Sequence, residues 1–244
     1  MKIKRLNMRA WLELVRVPNL PTVPGDVLAG GALAAVGLAE VSWLRVLPVV
    51  VSSLLLYMAG LIWNDCADYD EDCKERPDRP LPSGRIERRR AATVGGRLAA
   101  FGVGLAWFVG VYSGLLALAL LLLVIAYNFG SRQVRWLGFV NMGACRGASL
   151  LLGASAVRHP MEWPVFVVVA AAGIALYIVG VAWLAVDETK RKGSGVNIGF
   201  LIRLLIPIQA GLCMSGGGGG IWIALLVLLG WPVSSWLGQR FYAS

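Results

Sequence analysis

Hydrophobic positions in this chain form long unbroken runs instead of alternating with polar ones. Residues 46–64 carry no charge, and neither do 98–131, 163–186 or 204–239. An apolar run of about 20 residues suffices to cross a bilayer as a helix. Strict two-residue alternation is absent, so helices are predicted rather than barrel strands. Eight spans follow: residues 20–39, 46–66, a hairpin of 92–110 and 113–130, then 137–157, 163–186, 198–214 and 219–238. The predicted fold class is all-α, a polytopic transmembrane bundle forming one domain over residues 1–244.

Composition agrees with that pattern. Hydrophobic residues make up 57% of the chain and charged residues only 15%, against about 25% charged in soluble domains. The net charge of +9 alone would be compatible with a nucleic-acid binder. Its distribution is not, because the basic residues sit in short loops between apolar runs, so no nucleic-acid partner is expected. Lys2, Lys4, Arg5, Arg9, Arg16, the basic cluster of residues 74–97, Arg132, Arg135, Lys190, Arg191, Lys192, Arg203 and Arg240 fall on one side. Only Arg45 and Arg158 fall on the other. The richer side is read as cytoplasmic, with both termini there, and the expected setting is a bacterial inner membrane. The basic N-terminus runs into the first span without a cleavable leader pattern. Cys66, Cys73, Cys145 and Cys213 lack CxxC spacing and read as reduced structural thiols.

The informative polar segment begins where the second span ends. Asn64, Asp68 and Asp72 recur every four residues, so one helix face presents them in a row. Hard oxygen ligands of this kind suit Mg²⁺, which keeps substrate phosphates or waters as its other ligands. A helix C-terminus also favours a cation. Asp65, Asp70 and Glu71 project elsewhere and read as solvated. The bland alternative is a charged helix end stepping into water. Next comes a proline-stiffened basic loop containing Arg76, Pro77, Arg79, Pro80 and Pro82. Arginine forks bind phosphate oxygens in bidentate fashion, so acids beside arginines suggest a diphosphate site. Alanine at either Asp68 or Asp72 is expected to abolish activity with little loss of folding.

The stretch Asn64-Asp65-x-x-Asp68-x-x-x-Asp72, followed by Arg76-Pro77-x-Arg79-Pro80-Leu81-Pro82-Ser83-Gly84, resembles the signature of the UbiA superfamily of intramembrane prenyltransferases. Arg16-x-x-Asn19-x-x-Thr22 with Asp26 and Ala29-Gly30 is similar to the family's entry into its first helix. Residues 141–148 and 150–153 resemble the fifth helix of the EboC-like branch. The resemblance implies a helical fold, typically of nine helices, around a central cavity open to lipid. It implies Mg²⁺-dependent transfer of a polyprenyl group from its diphosphate to a membrane-accessible, usually aromatic, acceptor. The family carries a second pair of acids, four apart, at the end of its sixth helix. Asp187 matches the first of these, whereas Arg191 stands in the place of the second. Eight spans rather than nine are found, and the missing helix would lie at the C-terminus.

On this reading Asp68, Asp72 and Asp187 are catalytic, and with Asn64 they hold Mg²⁺. Arg76, Arg132, Lys190, Arg191 and Tyr127 would bind the diphosphate. Asn19, Arg16 and Arg146 are acceptor-binding or structural. Arg146, near the middle of the fifth span, is costly there and would either meet an anionic group or pair with a buried acid such as Asp26. Trp63, Tyr69, Tyr177 and Trp183 flank the acidic ends and read as a belt at the membrane interface or as faces for an allylic cation. His159 lies in an external loop, away from the acids. Two other functions fit the same residues: a transporter or flippase of a phosphorylated lipid, and a catalytically inactive scaffold. The short, nearly uncharged external loops disfavour transport, which needs polar groups on both sides.

Overall fold

The computed structural model describes residues 7–36, 42–131, 134–190, 198–216 and 219–241, with side chains for all of these but 187–190. Among the described residues all regular structure is helical. A short helix α1 (Met8–Leu14) lies ahead of a 3₁₀ segment, Val17–Thr22, and helix α2 (Val23–Ala34). Then come α3 (Val46–Ala67), the short α4 (Tyr69–Glu75), α5 (Arg88–Val109), α6 (Val111–Phe129), α7 (Arg135–Ser155) and α8 (Val165–Lys190). Helices α9 (Ile198–Met214), α10 (Gly220–Leu228) and α11 (Gly230–Arg240) complete the bundle. Six helical stretches, among them α10 and α11 taken together, are long and apolar enough to cross a membrane.

The predicted spans recur as these helices, with two departures at prolines. Residues 20–39 do not form one continuous span. Pro18 and Pro21 lie in the 3₁₀ segment and Pro24 in the first turn of α2, which then runs for only 12 residues, or about 18 Å. Residues 37–41 lie outside the described residues. Helix α2 is buried on nearly every side, so it acts as a central post rather than a lipid-facing span. The last span breaks at Leu229, where Gly230 and Pro232 start a new helix. Pro232 has no N–H to offer the carbonyl of Leu228.

Two apolar clusters share the post. One joins α2 and α7 to α8, α9 and α10 through Leu150, Val167, Ile174, Leu205 and Ile206. The other joins them to α3, α5 and α6 through Val49, Leu56, Ala99, Ala117 and Leu152. Helices α2 and α7 approach at glycine. A Cβ at Gly30 would strike the Leu150 carbonyl, and one at Gly153 would strike the Val27 carbonyl. The outer surface is apolar, with Phe108, Leu176 and Trp222 largely exposed, as expected for side chains that face acyl tails. A third cluster, including Leu14, Ile62, Leu81 and Ile86, closes the end of the bundle that carries the acids and the proline loop.

Candidate functional site

The polar row at the end of α3 does not stay straight. Asp68 leaves helical geometry (φ −86°, ψ 2°) and separates α3 from α4, although the i→i−4 bonds Asp68 N→Asn64 O (2.9 Å) and Asp72 N→Asp68 O (2.8 Å) persist. The row therefore divides. Asn64 Nδ2 donates to Asp68 Oδ2 at 2.8 Å, so these two side chains stand together. Asp72, only 3% exposed, is turned to the proline loop, where Arg79 Nη1 donates to its Oδ2 at 2.8 Å and Arg76 lies 3.8 Å from its Oδ1. Asp70 and Glu71 are exposed, as expected.

Asp65 departs from expectation. Instead of facing solvent it is 6% exposed and held between two guanidiniums, with Arg16 Nη2 at 3.4 Å and Arg79 Nη1 at 4.0 Å. The proline loop folds back under α3 and brings Arg79 with it, so a carboxylate on the far face of the helix meets cations rather than water. Arg85 from the same loop pairs with Glu13 of α1. The loop, α1 and the end of α3 thus form one ionic cap. Arg16 is the hinge of this cap. It is the only non-glycine residue with positive φ among the described residues (φ 46°, ψ 56°), a left-handed conformation that costs energy and persists only where its surroundings impose it.

Below the cap lies a cavity of about 350 Å³. Its two walls differ. Arg16, Asn19, Tyr57, Asn64, Asn128 and Arg146 make one side polar. Ile178, Val181 and Ala182 of α8, with Ile202 and Leu205 of α9, make the other apolar. Tyr127 also lines it. Asn128 is buried and donates to the Gly60 carbonyl at 3.3 Å and the Val124 carbonyl at 2.9 Å. Tyr57 shares a hydrogen bond with Asn19. A second cleft of about 450 Å³ opens on the other side of the cap, lined by Arg9, Glu13, Arg79, Arg85 and Arg240. Arg16 borders both.

Arg146 makes the ion pair with Asp26 that the sequence offered as one of two alternatives. Its Nε lies 3.0 Å from Asp26 Oδ2 and its Nη2 donates to the Thr22 carbonyl at 2.9 Å, yet it also lines the cavity. Gln209 completes this knot, donating to Thr22 O (2.8 Å) and Asp26 Oδ1 (2.6 Å). The sequence did not single out Gln209, Tyr57 or the pairing of Asp65. A polar Gln within the uncharged apolar run 204–239 was the available signal for the first.

The remaining predicted residues divide by position. Ala185, two residues before Asp187, lines the cavity with Asn64, so α8 delivers Asp187 to the same end of the bundle. The side chains of Asp187 and Lys190 lie outside the described residues, as do Arg132 and Arg191 altogether. Among the described residues no group of three or more acids, cysteines or histidines converges as a metal cage. The donor chemistry still fits Mg²⁺: the Asn64 amide and the Asp68 carboxylate stand side by side, joined by an N–H···O bond, and this ion uses one or two carboxylates with substrate phosphate. The flanking aromatics serve as ties. Trp63 Nε1 donates to Ala92 O (3.3 Å) and Tyr177 Oη to Leu201 O (2.7 Å), and neither residue lines the cavity. His159 stacks edge-on with Tyr112 at the opposite end.

Comparison with known proteins places this architecture. The chain is 32% identical to digeranylgeranylglyceryl phosphate synthase of Thermococcus kodakarensis over 152 residues, covering 62% of this chain and 54% of that protein. The namesake from Methanopyrus kandleri is 32% identical over 158 residues, covering 63% and 55%. The chain thus spans about half the length of the curated relatives it matches. The solved structure of a UbiA homologue from Archaeoglobus fulgidus with GPP and Mg²⁺ superposes with a TM-score of 0.62 at 15% identity, over 96% of this chain and 89% of that one. A digeranylgeranylglyceryl phosphate synthase structure superposes at 0.61 and 22% identity, over 95% and 88%. The model of the UbiA prenyltransferase family matches residues 27–243, and the chain belongs to that family.

Proposed function

We propose that this protein transfers a prenyl group from an allylic prenyl diphosphate to an acceptor that reaches the cavity through the membrane. The observation that carries this reading is the two-walled cavity under an arginine–carboxylate cap. The isoprenoid tail lies along the apolar wall of α8 and α9. The diphosphate lies where cavity and cleft meet at Arg16, with Asn64 and its neighbour Asp68 on the cavity side and Arg76 and Arg79 on the cleft side, and with Asp187, Lys190, Arg191, Arg132 and Tyr127 assigned to the same end. Relatives with a similar fold support the donor, since one was solved with GPP and Mg²⁺.

Asn64 and Asp68 would hold Mg²⁺, whose chemistry when bound is to stabilise the negative charge of the leaving diphosphate. Arg76 and Arg79 exchange partners as the donor enters. Their guanidiniums leave Asp72 for the diphosphate oxygens, and the freed Asp72 turns toward the acids of the row. The C1–O bond of the donor breaks and its electron pair leaves with the diphosphate. The acceptor's nucleophilic atom bonds to C1 and gives its proton to the released diphosphate. Preorganised positive charge on the leaving group supplies most of the acceleration. The dry apolar wall keeps water from the allylic carbon.

For the acceptor, the relatives' names add a glycerophosphate lipid to the aromatic ring expected from the sequence. The test is diphosphate release from prenyl diphosphates of C10 to C40 by purified protein in nanodiscs, with Mg²⁺ or EDTA. A lipid extract supplies acceptors. Mg²⁺-dependent release that disappears in Asp68→Ala supports the reading. Release by Asp68→Ala at the wild-type rate rejects the metal assignment, and no release from any donor by folded wild-type protein rejects the function.

A further inference from the structure

The knot of Arg146, Asp26, Gln209 and Thr22 is more than a tie between helices. Asp26 and Gln209 are fully buried, and Arg146 is 8% exposed. A purely structural knot would satisfy its donors. Here the Arg146 Nε, though 3.0 Å from Asp26 Oδ2, makes no aligned hydrogen bond, and neither do Asp26 Oδ2 and Gln209 Oε1. Among the described residues Nη1 of Arg146 has no hydrogen-bond partner, while Arg146 lines the cavity. The Nη1 donor of a mostly buried guanidinium therefore borders the chamber, whereas Nε is shut away beside Asp26. Leaving such donors without partners is costly, which points to an occupant that satisfies them.

Charge decides what that occupant is. Asp26 and Arg146 are the two charged groups of the knot and together are neutral; Gln209, Thr22 and nearby Tyr57 and Asn19 add none. An anion bound there would bring an unpaired negative charge into the membrane interior, which is strongly disfavoured. A neutral oxygen would accept the spare N–H groups with no added charge. The capped end is different, since six arginines line the cleft there, Arg16, Arg76 and Arg79 among them, against four acids. Tyr57 lies close enough to both Arg16 and Arg146 to feel each charge, and it is separated from Asn64 by about two helical turns, roughly 10 Å.

We infer that Arg146 is a specificity-determining residue that anchors an uncharged carbonyl or hydroxyl oxygen of the acceptor at the deep end of the cavity. The acceptor lies lengthwise, with its nucleophilic atom toward the mouth and any anionic group in the arginine cap. This rests on the prenyl-transfer reading. A ring carbonyl and a glycerol hydroxyl offer the same oxygen, and matched probes separate them: ethyl benzoate against benzoate, and 1-hexylglycerol against its 3-phosphate.

The test is calorimetric binding of these four probes to the full chain in detergent, for wild type, Arg146→Lys, Arg146→Gln and Asp26→Asn/Arg146→Gln. The double variant removes both charges, so it leaves no buried carboxylate unpaired, and a melting curve verifies its fold. Saturable binding of one neutral probe, weakened about tenfold in Arg146→Gln and in the double variant and partly restored in Arg146→Lys, is expected for loss of one such hydrogen bond. Whichever neutral probe binds tells ring from glycerol. Neutral-probe affinity that is unchanged in the folded double variant overturns the inference, and so does Arg146-dependent binding of benzoate that is tighter than that of its ester. Wild-type binding of geranyl diphosphate with Mg²⁺ is measured in parallel. Its absence rejects the prenyl-transfer reading, whereas its presence with no Arg146-dependent probe binding rejects this inference alone.

Discussion

Asp65 and Asp72 are surrounded by arginines and nearly inaccessible, while Asp68 stands beside an amide at the mouth. These carboxylates should respond differently to mutation. Asp65→Asn leaves Arg16 and Arg79 without their shared counter-charge. Arg16 is 29% exposed, so water offsets part of the loss. We expect a destabilisation of about 1–3 kcal/mol, read as a lower melting temperature in detergent. The exposed Asp70→Asn should stay within about 0.5 kcal/mol of wild type. Asp72→Ala should also lower the melting temperature, because it strips the partner of the buried Arg79, whereas Asp68→Ala should abolish turnover at nearly unchanged stability. Equal melting temperatures for Asp68→Ala and Asp72→Ala would show that the Arg79–Asp72 pair contributes no stability. Sequence spacing had treated the two acids alike. Spacing gives the face of a helix on which a residue sits but not the loop that folds against that face. The partner of Asp65 at Arg16 is 49 positions away and that of Asp26 at Arg146 is 120 positions away. No periodicity reports such pairings.

Helices α2 and α7 show what glycine does at a crossing. Each contributes one glycine whose missing Cβ lets the other backbone approach. Gly153→Ala must push α7 from α2, and overpacking of this kind costs about 1–3 kcal/mol. The post carries both apolar clusters, so the melting temperature should fall and the yield of folded protein with it. Gly104 of α5 is the control, since a Cβ there meets nothing within 4 Å. Gly104→Ala should be neutral or stabilising by up to about 1 kcal/mol, because alanine loses less backbone entropy in a helix. Similar melting shifts for the two variants would remove the close-approach argument. The spans that were legible in the sequence are those where lipid demands an uninterrupted apolar run, such as α3, α6 and α8. The first span was misjudged because its length of apolar sequence is the same whether or not prolines divide it. A centre made of other helices accepts a short buried post that lipid would not.

At the scale of the whole molecule, the ends of the helices separate by charge. Arg9, Arg16, Arg76, Arg79, Arg85 and Arg240 border one chamber or the other at the capped end. At the opposite end Arg45 donates to the Val109 carbonyl (3.4 Å) and Arg158 to the Val36 carbonyl (3.1 Å), so the few cations there cap the C-terminal ends of α5 and α2. If the capped end is cytoplasmic, as the basic excess argues, the thiols report it. Cys73 sits exposed on α4, whereas Cys66 and Cys213 are buried and Cys145 faces the cavity. A membrane-impermeant maleimide should label Cys73 in inverted vesicles and leave it unlabelled in right-side-out vesicles, with Cys73→Ser removing the signal. The reverse labelling would place the diphosphate site outside and contradict a donor drawn from the cytoplasm. Labelling from both sides in sealed vesicles would mean that the basic excess does not fix orientation. A single cytoplasmic signal joins the topology to the proposed chemistry: under that proposal the water-soluble diphosphate would leave through the arginine cap into the compartment that supplied it, while the apolar product would stay in the membrane along α8 and α9.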